Sequence, residues 1–201
     1  SRVSRDRILN PIALEVRSFW FSVSRMRGAF PEVMELTKSF LLQIANPYSR
    51  YSGMCTLAEG YLRIHDLERG WSVLREIHEG VGELTVAHEK ALILSDIAGL
   101  MAKVDPEEAY DCFQEAMALL PAVDPEMGGI VRKHLVFSLV SLHAIEPREE
   151  NIAAVTGLIE AIEDPTDYVN SLICAYTLLP RATRQKMKWI VTTALRLHSL
   201  G

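Results

Sequence analysis

Chemistry in this chain would have to come from its histidines, its cysteines or its paired carboxylates. Histidine stands at positions 65, 78, 88, 134, 143 and 198, and cysteine at 55, 112 and 174. A metal needs several such ligands converging from one helix face or one tight turn, as in His-Glu-x-x-His or closely spaced cysteine pairs. No such spacing occurs, and Glu76-Ile77-His78-Glu79 turns its ligands to different sides of one helix, so no metal and no cofactor is expected. A cysteine nucleophile needs a base beside it and a lowered pKa. Cys55, Cys112 and Cys174 instead sit among apolar residues of helical spacing, which predicts buried packing. Glu107-Glu108 and Glu149-Glu150 pair carboxylates, yet each pair falls in a first helical turn, where negative charge complements the helix dipole. A Gly-x-Ser-x-Gly elbow, a phosphate loop and a dinucleotide fingerprint are all missing, and Gly128-Gly129 reads as a weak first turn. The sequence therefore predicts no catalytic residues and no enzyme.

The elements that must carry these residues are marked by proline. Asp105-Pro106, Asp124-Pro125, Glu146-Pro147 and Asp164-Pro165 repeat one device, an acid that accepts from free N–H groups followed by the residue best suited to the first helical position. In Asp105-Pro106-Glu107-Glu108 a second acid stands three residues after the cap, as in a capping box. Asn10-Pro11, Pro31, Pro47 and Pro180 mark further starts, Asp66 and Thr85 are expected to cap two helices without proline, and Pro121 reads as a stop. Between these marks the sequence predicts helices over 11–27, 31–45, 48–64, 67–83, 86–103, 106–120, 125–144, 148–163, 166–179 and 181–199. Ala109, Cys112, Phe113, Ala116, Met117 and Leu120 show the three-and-four rhythm of one buried stripe, and no segment has the alternation of a strand. The short connections force each helix to lie antiparallel to the next. The expected organisation is one helical-repeat domain, residues 1–201, built of hairpins near 11–45, 48–83, 86–120, 125–163 and 166–199.

With 49% apolar and 23% charged residues in 201, the chain can bury a full core without staples. Its longest apolar runs fall short of a membrane span, and the odd number of scattered cysteines favours a reducing compartment, so a cytoplasmic protein with no membrane contact is expected. Charge is unevenly laid out. Residues 1–50, 51–164 and 165–201 carry +4, −13 and +4. Such a layout can draw basic partners to the middle, or bring copies together end to middle as a homo-oligomer. The basic stretch Arg181, Arg184, Lys186, Lys188 and Arg196 also holds Trp189, Ile190, Ala194 and Leu197 at inward spacing. A basic capping helix is the reading there, and with a pI near 5.7 nucleic acid is not an expected partner.

Met54, Leu57, Ala58 and Tyr61 have the spacing of the tetratricopeptide W-x2-L-G-x2-Y half, and Gly70, Leu74 and Ile77 follow at the distances of its A-x3-F-x2-A half. Leu94, Ile97, Ala98 and Met101 repeat the first half 40 residues later, and Ala109, Phe113, Ala116 and Pro121 the second. Over residues 51–123 the chain resembles a divergent tetratricopeptide (TPR-like) repeat protein. Its period is longer than the family's usual length of about 34 residues, which is similar to HEAT-type units as well. The resemblance implies an all-α fold, a right-handed α-α superhelix of about five antiparallel hairpins, with a globular multi-helix bundle as the alternative. It also implies a noncatalytic adaptor that takes a peptide or helix of another protein in a concave groove lined by the first helix of each hairpin. Counting from Ala58 and Ala98, Glu59, Leu62, Arg63, Gly99, Ala102 and Lys103 would border that groove. The candidate partner-binding set is Glu59, Arg63, Asp96, Lys103, His143 and Tyr176. A self-assembling scaffold is the alternative function, and an enzyme with a site between helices a more distant one.

Overall fold

A computed structural model describes residues 30–178. The helices expected over 11–27 and 181–199 lie outside the described residues. Within them the chain is all-α. The helices are α1 (Phe30–Leu41), α2 (Pro47–Arg63), α3 (Leu67–Gly80), α4 (Ala87–Met101), α5 (Pro106–Leu119), α6 (Pro125–Ile145), α7 (Glu149–Glu160) and α8 (Pro165–Leu178), and no strand occurs among the described residues. Single 3-10 turns, Val81–Glu83 and Leu120–Ala122, follow α3 and α5, so the segment read as one helix over 67–83 is an α-helix with a tightened end.

Most helix starts follow the capping chemistry of the sequence. Asp66, Asp105, Asp124 and Asp164 accept from the backbone N–H groups of Arg69, Glu108, Glu126 and Asp167 at 2.8–3.2 Å. Asn46 does the same for Ser49 at 2.8 Å ahead of Pro47. Two expectations need correction. Thr85 is not a cap: Val86 occupies that position and α4 begins without a side-chain acceptor. Glu146 does not start α7 but closes α6, its N–H bonded to Leu142 O, and Arg148 takes the cap position instead. The capping box at Asp105 is used in one direction, because the Asp105 N–H donates to the Met101 carbonyl at 2.9 Å, while the Glu108 carboxylate lies 3.7 Å from His78 on α3. At the end of α2, His65 has φ 64°, the left-handed conformation that lets the N–H of Asp66 reach the carbonyl of Tyr61 at 3.0 Å.

Packing follows a regular scheme. Leu41 meets Gly53 and Glu35 meets Tyr61, so α1 and α2 run antiparallel. Tyr51 meets Gly80 and Leu62 meets Gly70, which sets α2 against α3 in the same way. Each described helix touches its successor, and α2, α4, α6 and α8 also pack in series, each against the next of that set. Asp96 with His134 and Gly99 with Ser138 advance together along α4 and α6, so those two helices are parallel. The four begin at Pro47, Ala87, Pro125 and Pro165, at intervals of 40, 38 and 40 residues. The shared core holds Leu57, Tyr61, Leu74, Ile77, Leu94, Ile97, Leu135 and Leu139, all almost fully withdrawn from water. Transfer of such side chains contributes roughly 1.5–3 kcal/mol each.

Small residues set the spacing between helices. Ala58, Ala98 and Ala109 are fully buried. At Gly70 an added Cβ would stand 2.8 Å from Leu62 Cδ2 and 3.5 Å from the Ala58 carbonyl, so the α2–α3 pair comes as close there as the sequence predicts.

Candidate functional site

The surface that α2, α4, α6 and α8 present together is the place to look for the six sequence-predicted residues. Glu59 and Arg63 lie one turn apart on α2 and pair at 2.7 Å, each roughly half exposed. Asp96 lies on α4, where its carboxylate meets His134 of α6 at 3.0 Å. Of the six, the structure shows one pair in direct contact, Glu59 with Arg63. Lys103 is exposed in the turn just after α4, as Arg63 is at the last position of α2, and the two are 40 residues apart in matching register. Tyr176 is exposed on α8.

His143 is a correction. It is only 3% exposed, and its Nδ1 accepts the backbone N–H of Arg148 at 3.3 Å, so it serves the turn between α6 and α7 and offers no surface to a partner. Three residues of the predicted groove border also face inward. Ala102 is fully buried, Leu62 lies over Gly70, and Gly99 faces Ser138 at the α4–α6 contact, where an added Cβ would stand 3.5 Å from the Ser138 Cα. A helix packed on both flanks leaves fewer of its positions open than a count from one small residue supposes.

Sequence reasoning missed the polar groups that cross the junctions of this surface. His134 Nδ1 on α6 lies 3.0 Å from Asp96 Oδ1 on α4. Lys133 Nζ donates to Asp167 Oδ1 on α8 at 2.6 Å. The signal was present in the period: Asp96 and His134 are separated by 38 residues, the interval between the starts of α4 and α6. His78 of α3 sits between Glu108 and Glu115 of α5, at 3.7 and 3.6 Å from its two ring nitrogens.

Two open depressions have none of the six residues in their linings. One, of about 450 Å³, is lined by Asp66, Glu68, Arg69 and Ser72. The other, of about 400 Å³, lies among Leu42, Arg50, Tyr51, Met54, Glu76, Gly80 and Glu83. Their charges are largely matched within the chain. Arg69 pairs with Asp66, Arg50 pairs with Glu83 and lies 4.9 Å over the Tyr51 ring, and Lys38 of α1 holds Glu76 at 2.7 Å.

Electrostatics turns the cysteines away from nucleophile chemistry. Burial pushes the Cys55 thiol well up, with Asp96 and Glu59 adding to the effect. Burial likewise raises Cys112 to about 12, helped by Glu115, Glu108 and Asp111, and Cys174 to about 11. A thiol held protonated is a small apolar side chain. Tyr61 is raised to about 12 by burial and by the hydrogen bond it donates to Glu35. Among the described residues no group of three or more histidine, cysteine or acidic side chains is placed to hold a metal ion, and no helix is long and apolar enough to cross a membrane.

Compared with protein-family models, with characterised proteins and with solved structures, the chain matches none of them.

Proposed function

We propose that this chain is a noncatalytic protein-interaction adaptor, a TPR-like α-α superhelix whose α2, α4, α6 and α8 line the surface that receives a peptide or helix of another protein. The observation that carries the reading is the serial packing of those four helices at intervals of 40, 38 and 40 residues. Helices packed in such a series build an extended face instead of a closed centre, and an extended face suits a partner of extended or helical form. Glu59, Arg63, Asp96 and Lys103 supply charged groups along it, with Tyr176 further on. Binding would combine apolar contact with charge-assisted hydrogen bonds from Arg63 and Lys103.

Affinity capture with the full chain tests this placement. The Arg63→Ala, Lys103→Ala double variant is expected to lose partners that the native chain retains, at unchanged helix content. Retention of every partner would remove these two residues from the binding surface.

A second reading, a self-assembling scaffold, is favoured by the +4, −13, +4 charge layout. Sedimentation at low salt separates the two. End-to-middle attraction predicts association that 1 M salt reverses, since screening then acts within about 3 Å. A monomer at low salt and high protein concentration rejects it.

A further inference from the structure

We draw no further inference here: the strongest candidate, the apolar face of α1 where Leu36 and Phe40 stand more than half exposed, adjoins chain outside the described residues, and nothing in the structure shows what covers it.

Discussion

Asp96 of α4 and His134 of α6 meet at 3.0 Å across the junction of two hairpins, with side chains 37% and 30% exposed. A carboxylate only accepts, so the imidazole holds its proton on Nδ1. The pair bridges α4 and α6 about one turn along from the approach of Gly99 to Ser138.

Its contribution to stability is small because water reaches both groups. Asp96→Asn should lower stability by less than about 1 kcal/mol. Thermal melts at low and high salt would show this, with the difference between native and variant shrinking as salt rises. A loss of several kcal/mol would mean that the pair is far drier than the structure shows.

Gly99 offers a sharper test of the α4–α6 contact. A Cβ there would meet Ser138 Cα at 3.5 Å and Cβ at 3.6 Å, ordinary van der Waals distances. Gly99→Ala therefore gains helix propensity without a clash, about 0.8–1 kcal/mol, and should raise the melting temperature by roughly 2–4 °C. Gly99→Leu must part the two helices and should cost about 1–3 kcal/mol. If leucine were as well tolerated as alanine, the two helices would not be this close.

Capping separates two residues that look alike in the sequence. Asp105 accepts from the Glu108 N–H at 3.1 Å, whereas α4 starts at Val86 with no side-chain bond. Asp105→Ala should cost roughly 0.5–2 kcal/mol, and Thr85→Ala, with no cap to lose, should stay within about 0.5 kcal/mol. Denaturant midpoints of the two variants, at unchanged slope, give the comparison directly. Equal losses would place a cap at Thr85 after all.

The Cys112 thiol, fully buried and raised to about 12, makes stability depend on alkaline pH. Its folded pKa lies above the unfolded value, so its contribution is whole below about pH 9 and is lost as pH rises towards 12. In that window the unfolded thiol ionises while the folded one does not, and stability falls by up to about 1.4 kcal/mol per pH unit. Cys112→Ala should flatten the decline between pH 9 and 11. In the folded protein at pH 8 only on the order of one Cys112 in ten thousand is thiolate, so iodoacetamide should label it at the rate of unfolding. Prompt labelling under native conditions would show that the thiol is exposed or activated.

Much of the fold was legible because proline and aspartate act locally. Asp66, Asp105, Asp124 and Asp164 bind the N–H groups that their positions predict, whatever surrounds them. The stripe of Ala109, Cys112, Phe113 and Ala116 is buried for the same reason of spacing. What failed turned on how the chain bends between helices, which residue types alone do not set. His143 reads as a polar residue near a helix end, but the α6–α7 turn folds over it and gives its ring nitrogen a backbone donor. Thr85 had the chemistry of a cap and lost the position to Val86. Within the candidate surface, Glu59 and Arg63 needed only a helical turn to meet. The link from Asp96 to His134 required knowing which helices lie side by side, information carried by the period and not by either residue.

The proposed partner surface is the face formed by α2, α4, α6 and α8. The most direct measurement is quantitative affinity capture by three folded chains: native, Glu59→Lys with Asp96→Lys on that face, and Glu79→Lys on α3 as the control. Circular dichroism and melting temperature confirm that each variant is folded. Partners held by the native chain should be lost by the first variant and kept by the control. Partners retained by the first variant, or lost only by the control, would place binding elsewhere.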